Sequence, residues 1–300
     1  MAESLSPPFL QPGDGIALVS VSRFGEPEVI AQADAWIRSQ GWVPFHAPNL
    51  GARDHQFGGD DATRAADVNW AIAHPEVKAI WSIRGGYGAV RMVDAINWPR
   101  LKDQPKWLIG FSDFTMLLGH AFQQGLCAVH SWMPIQIPSS TPKSLNSLAQ
   151  LLGGHPQPLV AENHPLQRNG RAQGPVVGGN LSVLYSMLGS DSFPDLRGCI
   201  LALEDLDEYV YHIDRMLWGL KRAGVLKGLA GVALGSFSDM KDNAIPFGKD
   251  ALEIALHALP EGIPVGVGLP FGHESENEAF LTGYRYHLVV DSAGGHLSPL

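Results

Sequence analysis

The sequence is short of cysteine, of positive charge and of long apolar runs, and each shortage removes a class of protein. Its two cysteines, Cys127 and Cys199, form no CxxC pair and no disulfide framework. That pattern fits a reducing compartment and sets the expectation of a cytoplasmic protein. Basic residues number 21 against 30 acidic ones, for a formal charge of −9, so no basic face is expected and nucleic acid is not an expected partner. No apolar run approaches the ~20 residues of a membrane-spanning helix, and no membrane association is expected. The opening "MAESLSPPFLQPGDG" lacks a cationic stretch followed by an apolar one, so no secretion signal is expected either. What remains, 300 residues at 45% hydrophobic and 17% charged, is a globular chain long enough for one large or two ordinary domains.

The first half alternates short β-rich runs with helical patterns. "IALVSV", "VKAIWSI" and "KWLIGF" read as strands, each followed by a helical pattern such as "EVIAQADAWIRSQG". Repeated βαβ units predict an α/β fold, with an N-terminal, mostly parallel sheet flanked by helices. Near-continuous apolar runs fit strands buried on both faces. From Pro134 to Gly174 the texture turns rich in Pro, Gly and Asn around one helical piece, "LNSLAQLL", and reads as a crossing between domains. The expected division is an N-terminal domain over residues 1–142, an interdomain linker over 143–174 and a smaller C-terminal α/β or α+β domain over 175–300.

Two stretches raise chemistry. In "LIGFSDFTMLLGHAF" an apolar strand ends at Phe111, Ser112 takes the turn and a helix begins near Asp113. A serine there is held out of the sheet beside a helix N-terminus. The GxSxG pattern is half met, with Gly110 before the serine and Phe114 at the later glycine position. Helix capping is the competing role for Ser112. In "WSIRGGYGAVRM" a strand runs into a loop of three glycines with a helical pattern behind it. The loop lacks the Lys-Ser/Thr ending of a P-loop and does not fit GxGxxG. A bare strand-end loop can instead let a substrate carbonyl approach backbone N–H donors closely. Turn glycines without a chemical role are the plainer alternative.

A serine nucleophile needs a base and a group that orients it. "CILALED" ends a strand in Glu204 and Asp205, and "GLPFGHESENE" brings His273 after a turn. The carboxyl ends of strands in α/β sheets are where ligands gather. Ser112, Glu204 and His273 therefore form a candidate triad, with Asp113 and Gly86 or Gly85 as backbone oxyanion donors. Arg84 and Arg215 are candidates for a substrate carboxylate, or else members of structural ion pairs. The acidic "HESENE" run has no HExxH and no second histidine pair, and reads as a solvated loop rather than a metal site.

Together "RGGYGAVRMVDAINW", "IGFSDFT", "GGNLSVLYSMLGS", "LEDLDEYVYHIDRML" and "GLPFGH" resemble the LD-carboxypeptidase family of serine peptidases. That family includes muramoyltetrapeptide carboxypeptidases of peptidoglycan recycling and microcin C self-immunity peptidases. The resemblance runs in family order from about Ile16 to the C-terminus. It implies an active site between two domains, with the family's serine on Ser112, its glutamate on Glu204 and its histidine on His273. It places the oxyanion donors on the backbone of Asp113 and Gly86, implies no metal or organic cofactor, and suggests a homodimer. The expected reaction is release of a C-terminal D-residue across an L,D peptide bond, with D-alanine leaving a murein tetrapeptide. A peptidyl or aminoacyl nucleotide of the microcin C type is the alternative substrate, and a muropeptide-binding protein without catalysis is the alternative class.

Departures from the family pattern bear on substrate. "EYVYHIDR" stands where Glu-x-Pro-Tyr-Arg is usual, "HSWMP" where "HGPM" is common and "SVS" where "APS" is. Tyr87 and Trp132 are accordingly expected near the substrate. Trp132 would offer a stacking surface there, or else pack in the core.

Overall fold

The structure, a computed structural model, describes residues 4–300. Runs that read as doubly covered strands build the first sheet. Strands β1 (Gly15–Val19), β2 (Val43–His46), β3 (Val77–Ser82), β4 (Trp107–Gly110) and β5 (Ala128–His130) lie parallel in the order β5-β4-β3-β1-β2. Every residue of β1, β4 and β5 is buried, as helices on both faces require. Helices α1 (Pro27–Ser39), α2 (Asp61–Ala73), α3 (Trp98–Asp103) and α4 (Thr115–Gln123) make the successive crossovers. The carboxyl ends of all five strands consequently point to one edge, where Ser22, Gly85 and Ser112 follow β1, β3 and β4.

The second half continues as α5 (Pro142–Leu152), β6 (Leu159–Ala161), β7 (Gly170–Asn180), α6 (Leu181–Ser186), β8 (Ile200–Leu206), α7 (Val210–Arg222), β9 (Gly231–Ser238), α8 (Ala251–Ala258) and β10 (Val265–Val267). Then come β11 (Phe280–Thr282), β12 (Arg285–Asp291) and β13 (Gly294–Pro299). Its sheet has the order β10-β9-β8-β7-β12-β13-β6. The pairs joining β7 to β10 are parallel, and those joining β7, β12, β13 and β6 are antiparallel. Glu204 and Asp205 sit on β8, at the carboxyl edge of the parallel part.

Strand β11 does not join that sheet. It pairs antiparallel with β5, Phe280 opposite His130, and so completes the first sheet from the far end of the chain. Its Phe280 ring stacks on the His130 ring at 4.6 Å and meets Phe271 edge-on at 5.2 Å.

Two expectations differ from what the chain does. Residues 143–174, expected as a linker, are structured: α5 buries Leu148, Leu151 and Leu152 beside Trp81 and Trp132, while β6 and the start of β7 already belong to the second sheet. The Pro- and Gly-rich texture hid a strand that alternates exposed and buried residues before it becomes continuously buried. The helical pattern behind the glycine loop forms two 3₁₀ turns, Ala89–Arg91 and Val93–Ala95. There the Ala89 N–H donates to the Asp113 carboxylate, and a new helix starts only where the Asn97 side chain caps α3. No helix among the described residues is long and apolar enough to cross a membrane.

Phe280 is fully buried at the seam between the two halves. Phe280→Ala is expected to cost about 3–5 kcal/mol of unfolding free energy, read from the urea midpoint. An unchanged midpoint would show that β11 does not hold the seam.

Candidate active site

Ser112 sits at the mouth of β4 with φ +61°, in the left-handed region that side chains with a Cβ avoid. Such a conformation persists only where the surroundings enforce it. Here the enforcement is packing. Phe111 and Phe114 on either side of the turn are both buried, and a Cβ on Gly110 would stand 2.6 Å from the Phe114 ring. That contact explains why a phenylalanine can occupy the later glycine position of the elbow: its ring takes the space over Gly110. The 3₁₀ turn Ser112–Phe114 then runs into α4, leaving the Ser112 hydroxyl half-buried at a helix N-terminus.

The glycine loop lies directly against it. A Cβ on Gly85 would come within 3.1 Å of the Ser112 Oγ and 3.2 Å of Met133 Cε. Gly86 adopts φ +120°, and a Cβ there would meet the Arg23 side chain at 2.7 Å. Only glycine satisfies both the backbone angle and the space at Gly86. The N–H groups of Gly85 and Gly86 have no acceptor among the described residues, so both are free to donate into the cleft.

Asp113 does more than its backbone suggested. Its buried Oδ2 accepts from Ser22 Oγ at 2.6 Å and from the Ala89 N–H at 2.8 Å. One carboxylate thus ties together the loops after β1, β3 and β4. Burial raises its pKa, against those two hydrogen bonds and the Arg64 charge.

From the second sheet, Glu204 Oε2 lies 2.6 Å from His273 Nδ1, with Glu204 fully buried. Burial by itself would lower the His273 pKa, but the charge and hydrogen bond of Glu204, with Asp205 and Glu274 behind them, carry it above the ordinary 6.5. The His273 ring packs on Phe111 at 4.6 Å, one residue from Ser112. Among the described residues no hydrogen bond joins His273 to the Ser112 hydroxyl, although both line the same cleft. Asp205, next along β8, accepts from Asn180 Nδ2 and from the N–H groups of Ser182 and Leu206, each at 2.9 Å. Burial first, then the charge of Glu204, pushes its carboxyl up to about 7.

Ser112, Asp113, Gly85, Gly86, Arg84 and His273 line one cleft of about 530 Å³ between the two halves, with Asp205 in its wall and Glu204 behind His273. Three other candidates stand elsewhere. Trp132 is wholly buried, donates Nε1–H to the Ser144 carbonyl at 2.8 Å and packs edge-on to Trp36 and Trp81, so it presents no face to the cleft. Tyr87 is exposed beside Phe57, outside the cleft. Arg215 lies exposed on α7, its guanidinium 5.2 Å from the Tyr211 ring centre. Conversely the cleft wall contains Arg23, Asn180 and Ser182, none of which sequence reasoning singled out as site residues, and Glu208, which by sequence is a second candidate for the acid beside Glu204. Arg23, Asn180 and Ser182 follow parallel strands β1 and β7, and that position is the signal that could have found them. In the "HESENE" run, Glu276 and Glu278 pair with Lys143 at 3.2 and 2.7 Å. No cluster of three or more potential metal ligands occurs among the described residues.

Comparison with known proteins gives a consistent picture. Residues 16–131 match the LD-carboxypeptidase N-terminal domain and residues 173–288 the LD-carboxypeptidase C-terminal domain. The murein tetrapeptide carboxypeptidase of Pseudomonas aeruginosa is 31% identical over 291 residues, covering 91% of this chain and 92% of that protein. The crystal structure of a muramoyltetrapeptide carboxypeptidase from Oxalobacter formigenes is 27% identical, with a TM-score of 0.85 over 95% of this chain and 98% of that one. The structure of MccF in complex with glutamyl sulfamoyl guanosine shares the fold at 20% identity, with a TM-score of 0.86 over 100% of this chain and 99% of that one.

Two outcomes test the geometry. A histidine that takes the Ser112 proton must be neutral, so activity is lost as pH falls through its raised pKa. The acid limb of kcat/KM is therefore expected above 6.5, and Glu204→Gln is expected to move it down and to cut kcat far more than Glu208→Gln. Glu208 Oε2 is engaged with His212 Nδ1 at 2.9 Å rather than with His273, and a larger loss in its variant would reverse the assignment. Asp113→Ala leaves the buried Ala89 N–H without its acceptor, at a cost of about 1–3 kcal/mol. It is expected to lower both the melting temperature and kcat, and an unchanged kcat would show that the loop needs no such tie.

Proposed function

The chain belongs to the LD-carboxypeptidase family and is a serine peptidase, and we propose that Ser112, His273 and Glu204 are its nucleophile, base and orienting acid. The observation that carries this reading is the buried 2.6 Å contact between Glu204 Oε2 and His273 Nδ1, in the same cleft as a serine held at φ +61°. His273 takes the Ser112 proton through Nε2 while its Nδ1–H donates to Glu204, whose charge stabilises the imidazolium as it forms. Ser112 attacks the scissile carbonyl, and the N–H groups of Gly86 and Asp113 receive the oxyanion. His273 then hands its proton to the leaving amine, and water releases the acyl group by the same steps in reverse. Arg84, half-buried in the cleft wall, adds positive charge to it, which suits a substrate that carries a carboxylate.

For the substrate, the reading is a murein tetrapeptide that loses its terminal D-alanine. Its support is the 31% identity to the Pseudomonas aeruginosa enzyme across nine-tenths of both chains, and the 27% identity to the Oxalobacter formigenes one. A second reading, cleavage of an amide beside an aminoacyl nucleotide, draws on a fold match to MccF that spans the whole chain and is as high.

The readings separate by mass spectrometry. The murein reading expects D-alanine from L-alanyl-γ-D-glutamyl-meso-diaminopimelyl-D-alanine, and little release from the analogue ending in L-alanine. Inverting that centre displaces the reacting groups, and a misplacement of ~1 Å can cost about 100-fold. An intact tetrapeptide together with a cleaved aminoacyl-nucleotide analogue would transfer the assignment to the second reading. Ser112→Ala is expected to remove turnover by several orders of magnitude with the fold retained. A variant keeping more than roughly a tenth of kcat would reduce Ser112 to a helix cap, since losing a triad serine costs far more than that.

A further inference from the structure

A triad and an oxyanion loop cut amides, but they do not by themselves require a free C-terminus. That preference needs a cation about one residue beyond the scissile carbon, roughly 3.3–3.6 Å along an extended chain. Resting on the peptidase reading above, we propose that Arg23 is the residue that reads the substrate's terminal carboxylate and makes the enzyme a carboxypeptidase.

The placement comes from the glycine pair. Gly85 lies against Ser112, while Gly86, the next residue along the loop, lies against the Arg23 side chain: a Cβ there would stand 2.7 Å from Arg23 Cδ and 2.8 Å from its Nε. The Arg23 side chain therefore borders the loop residue next to the one that touches Ser112, on the side of the proposed oxyanion donors. Its own loop is anchored there, because the preceding Ser22 donates to the carboxylate of Asp113. The sequence pattern that could have marked it is "SVSRFG", the loop immediately after β1.

Charge points the same way. Arg53, Arg64, Arg91 and Arg197 each pair with a carboxylate. Arg23 and Arg84 form no ion pair among the described residues, although both line the cleft of a protein with a formal charge of −9. Arg84 Nε is buried without an acceptor, and burial followed by the nearby Arg23 charge depresses its pKa. Both guanidinium groups line one cleft, and Glu26, the acid whose charge reaches Arg84, is itself engaged by Arg53 at 2.6 Å; that leaves a site for an anion, and a planar fork suits a carboxylate in particular. The substrate's C-terminus supplies that anion when it binds.

The test compares the tetrapeptide acid with its C-terminal carboxamide, for wild type, Arg23→Gln and Arg23→Lys, with a serine-directed phosphonate reporting on Ser112 in each protein. Wild type is expected to prefer the acid. Arg23→Gln is expected to raise KM for the acid by about 10- to 100-fold, the range for a hydrogen bond to a charged group, and to leave the carboxamide rate unchanged. Arg23→Lys, which keeps charge without the fork, is expected to fall between. Arg23→Gln that retains the acid preference overturns the assignment while leaving the peptidase reading intact, and so does an equal loss on both substrates. Wild type that cuts neither peptide yet still labels at Ser112 overturns the murein reading, and the carboxylate assignment with it.

Discussion

The proposed site depends on one geometric constraint: an imidazole oriented from the end of one sheet must meet a hydroxyl held at the end of another. Ser112 is positioned by β4, Glu204 by β8, and His273 by the loop before β11. What fixes the two sheets is the chain between His273 and Thr282. The N–H groups of Asn277 and Ala279 donate to Ser144 and Ser147 on α5, each at 2.8 Å, and the Thr141 N–H donates to the Ser275 carbonyl at 2.9 Å. Phe280 to Thr282 then pair with β5, beside β4. The segment bearing His273 is thus hydrogen-bonded into the sheet that bears Ser112. A further tie runs from the Asn180 N–H to Thr115 Oγ1 at 3.1 Å, linking the end of β7 to the start of α4.

Within that frame both guanidinium groups of the cleft, Arg23 and Arg84, belong to the first-sheet wall, while its carboxylates come from both walls, Asp113 from the first and Asp205, Asp207 and Glu208 from the second. Asp113 is held by Ser22 and the Ala89 N–H. The acids are committed in different ways. Asp207 pairs with Lys241 at 2.6 Å, Glu208 contacts His212, and Asp205 is saturated by three N–H donors. Arg23 and Arg84 form no ion pair among the described residues, so the unpaired charge of the cleft is positive although the chain as a whole is acidic.

The parallel sheet was legible because β1 and β4 are buried throughout and β3 everywhere but at Lys78, so that they read as near-continuous apolar runs. The elbow at Ser112 was legible because a strand, a small polar residue and a helix stand in direct succession. Glu204 and His273 could be found because both close strands or turns at a carboxyl edge. Other features depend on contacts distant in sequence. The joining of β11 to β5 spans most of the second half, and a three-residue strand has no period of its own to announce it. Trp132 sits beside a motif that suggests substrate, yet its ring is placed by Trp36 and Trp81. The side chain of Asp113 looked like part of a helix start, and its real partners, Ser22 and Ala89, lie on other loops. Nothing in the sequence sets Arg23 apart from the chain's other basic residues, and its place beside Gly86 is made only by the fold.

The late pairing of β11 also sets the order in which a working molecule can arise. Parallel crossovers let β1 to β5 assemble progressively as the chain leaves the ribosome, but β5 keeps an open edge until residues 280–282 arrive. Contacts so remote in sequence form late, since the entropy of closing the intervening loop must be met first. The same residues bring His273 into register with the sheet that carries Ser112. On the proposed assignment, a nascent chain therefore carries Ser112 in its turn for much of its synthesis before the segment with its proposed base has arrived.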